Sequence, residues 1–423
     1  MTTFQDLNLI DPLLKAVDEL GYSEPTSIQA LAIPAILSGQ DVQAMAQTGT
    51  GKTAGFTLPL LQHLSRYASS SMSPAKHPVR ALILTPTREL AIQVEESVKN
   101  YSKYLALRSC AIYGGVNIQD QIKLLQGGIE VVIATPGRLM DHVNQKTIQL
   151  SQVSLFVLDE ADRMLDMGFI PDIKKIIQLL PTQRQNLMFS ATFSDEINKL
   201  AKGFLNHPVQ VQATQRNTTA SSIIETFYAI SEHRKKDLLV DLFLSTKAGQ
   251  AIVFTNTKLD ASKLSQAILR EGLKCDALHG DRSQRERIEI LDKFKNGQIE
   301  LLIATDVAAR GLDIESLPLV FNYDLPSVAE DYIHRIGRTG RAGSTGQAIS
   351  FVSDSDRRLL SAIEKVTNTH YELRSGESTL NKHQKSSAET SSFYAKSHAP
   401  YLTPGAKKEK EVPALLRKLI NNE

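Results

Sequence analysis

The sequence predicts an α/β protein of two doubly wound parallel-sheet domains, joined by a short flexible linker and followed by a basic tail. Three observations predict it. Short, almost wholly apolar runs alternate with amphipathic segments, as strands buried on both faces and covered by helices require. The alternation occurs twice, on either side of a stretch from Gln212 to Ser222 that lacks large apolar residues. A glycine-rich loop, Met45 to Thr53, stands where a strand gives way to a helix.

In chain order, residues 2–40 read as helical, with apolar positions at Leu9, Leu13, Leu14, Val17 and Leu20 before a break at Gly21 and Pro25. Asp41 to Met45 alternates as a strand does, and Ala54 to Leu64 reads as a helix. Apolar runs follow at Ala81–Leu84, Glu130–Ala134, Leu155–Leu158 and Leu187–Phe189, with helix-like segments such as Glu89–Tyr104 and Asp172–Leu180 between them. The second series comprises Ile223–Ile230, Ala251–Phe254, Leu301–Ala304, Val320–Tyr323 and Ala348–Val352. The expected division is an N-terminal segment 1–40, a first domain 33–211, a linker 212–222, a second domain 223–372 and a tail 373–423. The tail is rich in Ser, Thr, Lys and His and is expected to be disordered, with Val412–Ile420 as a short amphipathic exception.

At 423 residues the chain is long enough for two or three domains with cores of their own. The formal charge of +2 is unevenly spread, because from Arg374 onward nine Lys and Arg face five Asp and Glu. The body is therefore nearly neutral, and attraction for a polyanion must come from local patches and the tail. Cys110 and Cys275 have no CxxC spacing, which argues against zinc or a disulfide framework and for two small buried side chains. No basic-then-apolar leader opens the chain and no apolar run is long enough to span a bilayer, so the expected setting is cytoplasmic, with no membrane partner.

The loop carries the first chemistry. Gly49 and Gly51 let consecutive N–H groups and a helix N-terminus face one polyanion, Lys52 adds a point charge, and the Thr53 hydroxyl is placed for Mg²⁺. Ala46 stands where the usual phosphate-loop pattern has its first glycine. The second half of such a site is an acid at the end of a buried strand. Leu155–Leu158 runs through the core and Asp159 emerges at its carboxyl end, where a carboxylate holds Mg²⁺ and the adjacent Glu160 polarises an attacking water. Gln29 offers a donor and an acceptor on one planar amide, which suits the N6 and N7 edge of adenine, and Phe4 is a candidate to stack on that ring. Arg338 and Arg341, three apart, are candidates to supply transition-state charge, worth about 10³ to 10⁵ in rate for an arginine finger.

From Asp159-Glu160-Ala161-Asp162 the chain resembles the DEAD-box ATP-dependent RNA helicases of superfamily 2, in the bacterial type, over about residues 4–345. Gly21-Tyr22, Pro25-Thr26 and Ile28-Gln29, preceded by Phe4, are similar to the family's adenine-reading motif, although Ser27 stands where many members have Pro. Ala46 to Thr53 matches the family's own phosphate loop, Ala46 included. The resemblance implies RecA-like folds for both domains and ATP and Mg²⁺ as cofactors. It implies catalytic roles for Lys52, Asp159, Glu160, Arg338 and Arg341. ATP contacts are implied for Phe4, Tyr22, Gln29, Ala46, Gln47, Thr48, Gly49, Thr50, Gly51, Lys52, Thr53, Gly311, Asp313, Arg338 and Arg341, with Mg²⁺ on Thr53 and, through water, on Asp159. Coupling of ATP to RNA falls to Asp162, Ser190, Thr192 and His334.

The RNA side is implied to include Pro86, Thr87, Arg88, Gly115, Thr135, Gly137 and Arg138 in the first domain and Gly280, Asp281, Gln284, Arg287 and Thr305 in the second. The resemblance implies RNA, structured or duplex, as the partner; hydroxyls, backbone N–H groups and guanidinium bind phosphate and sugar without reading base edges, so recognition is expected to be independent of sequence. The tail is expected to strengthen that binding, or to dock ribonucleoprotein or protein partners. The implied activity is RNA-dependent ATP hydrolysis that separates short duplexes or remodels RNA–protein complexes. A non-catalytic ATP-gated RNA clamp and a DNA-directed motor of the same superfamily are the alternatives.

Overall fold

The structure, a computed structural model, describes residues 2–46, 50–212, 223–309, 317–340 and 345–380. The first sheet is built from β1 (Val42–Met45), β2 (Ala81–Leu84), β3 (Ser109–Ile112), β4 (Val131–Ala134), β5 (Leu155–Leu158), β6 (Gln185–Ser190) and β7 (Val209–Gln212), in the order β3-β4-β2-β5-β6-β1-β7. The second contains β8 (Ile223–Ala229), β9 (Ala251–Thr255), β10 (Cys275–Leu278), β11 (Leu301–Thr305), β12 (Leu319–Asn322), β13 (Gly346–Val352) and β14 (Leu373–Ser375), in the order β10-β11-β9-β12-β13-β8-β14. In the first sheet every pairing is parallel, with Val42 opposite Leu187 on one side and Val209 on the other. Both sheets lie in one compact unit ending at Arg374.

The continuous apolar runs follow from burial on both faces. Along β2, Ala81 and Ile83 enter one core while Leu82 and Leu84 enter the other; β5 divides the same way, Leu155 and Val157 against Phe156 and Leu158. Helices begin directly after the strands because hydroxyl residues cap them. Thr87 Oγ1 accepts from the Leu90 N–H at 3.3 Å, and Thr257 Oγ1 from the Asp260 N–H at 3.1 Å. Cys110 and Cys275 are buried and unbridged.

The segment expected to be a disordered tail from residue 373 opens instead with β14, whose three residues are all exposed. Joining the edge of a sheet satisfies backbone groups without burying side chains, so a polar composition does not forbid it. Residues 213–222 of the expected linker, the tail beyond Leu380 with Val412–Ile420, and Gln47, Thr48, Gly49, Gly311, Asp313 and Arg341 lie outside the described residues. No helix among the described residues is long and apolar enough to cross a membrane.

The strand order separates two groups of loops at the carboxyl ends of the first sheet. The loops after β3, β4 and β2 carry Gly115, Thr135–Arg138 and Pro86–Arg88. The loops after β5, β6 and β1 carry Asp159–Asp162, Ser190–Thr192 and the phosphate loop. Candidate RNA and ATP residues thus sit side by side on one rim.

Candidate functional site

The phosphate loop enters the helix Lys52–Ser65 through Gly51, whose φ of +80° is a left-handed conformation that favours glycine. A Cβ there would lie 2.5 Å from Gln29 Nε2. Gln29 Nε2 donates to the Gly51 carbonyl at 2.9 Å, and Gln29 Oε1 accepts from the Thr26 N–H at 2.9 Å, closing the cap of the helix Ser27–Leu37. Both ends of the amide therefore have a protein partner, and each retains one further hydrogen-bonding position for a base edge. Phe4 is packed in the core with Leu7 and Leu9, whereas Tyr22 is exposed with its hydroxyl 3.4 Å from that of Tyr101. On the other side of the loop the Ala46 N–H donates to the Ser190 carbonyl at 2.9 Å.

Lys52 is buried, with Nζ 3.3 Å from Asp159 Oδ1 and 3.4 Å from Glu160 Oε1. Burial alone would lower the Lys52 ammonium, but the Asp159, Glu160 and Asp162 carboxylates outweigh it and hold it above its usual value. Burial pushes the Asp159 carboxyl above the ordinary carboxylate range, against the pull of Lys52. Glu160 is held below that range, because Lys52, Arg163 and Arg338 overcome the effect of its own burial. Glu160 also has a left-handed backbone, φ 55° and ψ 54°, costing about 1–2 kcal/mol for a residue with a Cβ. Strain of this kind gathers at functional sites.

Asp162 binds the segment after β6. Its Oδ2 accepts from the Ala191 and Thr192 N–H groups at 2.9 and 3.0 Å, and its own N–H donates to Ser190 Oγ at 3.3 Å. The residues expected to couple ATP to RNA in the first domain are thus one hydrogen-bonded cluster. Across from it, the helix Ala329–Ile336 brings His334 and, just beyond, Arg338. A cleft of about 530 Å³ is lined by Lys52, Glu160, Asp162 and Thr192 from one sheet and by His334 and Arg338 from the other.

The candidate RNA residues form a second cluster across the two sheets. Arg88 Nη1 lies 3.5 Å from Gln284 Oε1, Gln284 Nε2 donates to Glu89 Oε1 at 3.1 Å, and Arg287 Nε is 2.9 Å from Glu89 Oε1. Arg88 lies against Gly115, where a Cβ would meet its guanidinium at 2.1 Å. Arg138 is turned toward the Val116 carbonyl and Gln121, and Asp281 pairs with Lys258 at 2.8 Å. Thr87, Thr135 and Thr305 are nearly buried at strand ends, and Gly137 and Gly280 are open.

Sequence reasoning did not single out four side chains that organise these clusters: Glu89, Arg163, Asp306 and Arg335. Arg335 is buried and uses all five guanidinium N–H groups. Nε and Nη2 donate to Asp306 at 2.6 Å each, Nη1 to the Asp324 carbonyl at 2.5 Å and to Asn322 Oδ1 at 3.4 Å, and Nη2 to Asn256 Oδ1 at 3.0 Å. The available signal was an arginine inside a helix whose polar positions should face water.

Comparison with known proteins completes the picture. The DEAD/DEAH box helicase family model matches residues 26–200, and the helicase conserved C-terminal domain matches residues 234–343. The chain is 44% identical over 372 residues to the DEAD-box ATP-dependent RNA helicase CshA of Geobacillus kaustophilus, covering 88% of this chain and 78% of that protein. The chain belongs to the DEAD-box ATP-dependent RNA helicase family. It is 42% identical to the RhpA helicase of Helicobacter pylori, over 88% of this chain and 74% of that one. Among solved structures, S. cerevisiae Dbp5 bound to RNA and ADP BeF3 matches with a TM-score of 0.78 at 34% identity, covering 91% of this chain and 99% of that one. The DEAD box protein of Methanococcus jannaschii matches at 0.52 and 38% identity, covering 88% and 99%. Each of the two parallel sheets of this helicase, with its flanking helices, resembles one of the RecA-like domains of Dbp5.

The helicase is an ATP-hydrolysing enzyme built from two RecA-like domains. Its residues also fit a magnesium ion. Beyond Lys52 Nζ at 3.3 Å and the adjoining Glu160 backbone, no hydrogen-bond donor meets the carboxylate of buried Asp159 among the described residues. A buried carboxylate so little satisfied suits Mg²⁺, which takes one or two carboxylates and fills its octahedron with phosphate oxygens and water.

Proposed function

We propose that this helicase is an RNA-dependent ATPase that locally opens short RNA duplexes, or strips protein from RNA, by closing its two domains around both ligands. The observation that carries the reading is the shared cleft, to which Lys52 and Glu160 come from one sheet and His334 and Arg338 from the other. Lys52 and the loop N–H groups bind the β- and γ-phosphates, Gln29 reads adenine, Glu160 polarises the attacking water, and Arg338 with Arg341 offsets the charge that develops on the γ-phosphoryl group. Thr53 and Asp159 would hold Mg²⁺, which when bound neutralises phosphate charge. Gly311 and Asp313 complete the nucleotide contacts from the second domain.

RNA lies along the loops that carry Arg88, Gly115, Thr135, Gly137 and Arg138, and along Gly280, Asp281, Gln284, Arg287 and Thr305. These groups read backbone, so recognition is independent of base sequence. The working division is 33–211 for the ATP-binding domain and 223–372 for the C-terminal domain, with a basic tail adding non-specific affinity. Two buried, unbridged thiols suit a reducing cytoplasm.

The deciding experiment measures phosphate release by the full chain with matched single-stranded RNA and DNA, with Glu160→Gln as control. Turnover that rises with RNA, stays near basal with DNA and is lost by about 10² to 10⁴ in Glu160→Gln is the expected result. Equal stimulation by DNA would favour the DNA-directed motor. Binding without turnover would favour a clamp.

A further inference from the structure

Lys52 and Arg163 take different oxygens of Glu160. Its Oε1 is 3.4 Å from Lys52 Nζ, while its Oε2 accepts from Arg163 Nη1 at 2.9 Å. Arg163 stands three residues on, in the helix Ala161–Asp166, with its side chain 11% exposed and lining the cleft. It lies outside the phosphate loop, and its backbone N–H donates to Asp162 Oδ1 at 3.0 Å while its side chain reaches back to Glu160.

Lys52 and Arg163, two of the three cations that act on Glu160, differ in what a nucleotide asks of them. A lysine drawn onto phosphate loosens its hold on Oε1. Arg163, which stands outside the phosphate loop, keeps its contact with the other oxygen. The terminal torsion of a glutamate is broad, so an unpinned carboxylate sweeps its free oxygen through a wide arc. Pinning one oxygen to a guanidinium N–H, on a side chain anchored in a short helix, sets the direction of the other. The left-handed backbone at Glu160 contributes to the same end, since it turns the chain sharply enough for the carboxylate to meet the first helical turn behind it.

We infer that Arg163 is a positioning residue for ATP hydrolysis: it fixes Oε2 of Glu160 so that Oε1 is aimed at the attacking water. The inference rests on the reading of Glu160 given above. In the step concerned, the water oxygen bonds to the γ-phosphorus, and the bond to the β–γ bridging oxygen breaks with its electrons going to ADP. The water proton passes by way of Oε1 to solvent.

The test compares the full chain with Arg163→Met, Arg163→Lys, Glu160→Gln and the Arg163→Met/Glu160→Gln double variant, each saturated with polyuridylate while ATP is varied. Arg163→Met should lower kcat by about 10- to 100-fold, because small misplacements of a catalytic group cost that much, and leave KM for ATP within about twofold. Arg163→Lys keeps the charge on a shorter, more flexible donor, so it should recover part of the rate. In the Glu160→Gln background, Arg163→Met should cost nothing further, as expected for residues acting as a unit. Unchanged kcat, a loss confined to KM, or an additive loss in the double variant would overturn the inference. Wild-type turnover by Glu160→Gln would instead sink the reading of Glu160 itself. Fluorescent-nucleotide binding by each variant reports folding, and Arg163→Gln replaces Arg163→Met if that variant does not fold.

Discussion

Arg335 shows how much one side chain can organise. Its guanidinium reaches β9 through Asn256, the end of β11 through Asp306, and β12 through Asn322 and Asp324, while its backbone lies three residues before Arg338. Removing one partner of a buried pair leaves a charge without compensation, which costs about 3–5 kcal/mol. Asp306→Ala should therefore lower stability by about 3 kcal/mol, read as a shift in urea unfolding, with a smaller loss for Asp306→Asn, which keeps one acceptor. At this scale the sequence was most informative about the groups proposed to meet ATP: Lys52, Asp159 and Glu160 were all chosen from spacing and strand position, and they lie together. Arg335 and Arg163 were not chosen, because spacing reveals which residues are near a ligand and not which residues hold those in place. Only the folded chain shows that Arg163 turns back toward Glu160.

Among the elements, the legible strands and the illegible ones divide by position. β1, β2, β4, β5 and β6, and β8, β9, β11, β12 and β13, are interior strands and were all read in the sequence, β1 from its alternation and the rest from apolar runs. The four that were not read, β3, β7, β10 and β14, are the four sheet edges. An edge strand needs to bury only part of its surface, so segments such as Val209-Gln210-Val211-Gln212 or Leu373-Arg374-Ser375 mix polar residues into the pattern and read as loop. The helix Pro136–Asn144 illustrates a different limit. His142, in its last turn, is fully buried, with Nδ1 2.8 Å from Thr147 Oγ1 and Nε2 3.1 Å from Gln121 Oε1. Burial, reinforced by the Arg138 charge, holds its pKa below the ordinary histidine value. A depressed folded-state pKa gives a contribution to stability that is complete above the unfolded value, about 6.5, and is lost as pH falls through that of the fold. The stability gap between the wild type and His142→Asn should therefore narrow on acidification from pH 7.5 to 5.5 in urea melts. A gap that widens would reverse this assignment.

For the molecule as a whole, the proposed closure would involve the cross-sheet cluster of Arg88, Glu89, Gln284 and Arg287 on its RNA side and the cleft on its ATP side. If each ligand favours the closed arrangement, each must raise the affinity for the other by the same factor. Arg287→Ala should reduce that factor by about fivefold or more, measured as the ratio of RNA dissociation constants with and without a non-hydrolysable ATP analogue. Glu89→Gln should do the same, and the two together little more, because they share one ion pair. A full coupling factor in Arg287→Ala would show that the cluster is incidental to closure.

The fully engaged Arg335 fork bears on how such closure is transmitted. Three neighbouring strand ends and the helix carrying His334 are bolted to one planar group, so among the described residues this part of the second sheet's rim is braced as a unit. Closure should therefore carry these strand ends together, in the way that a stiff plate pivots about its hinge rather than flexing.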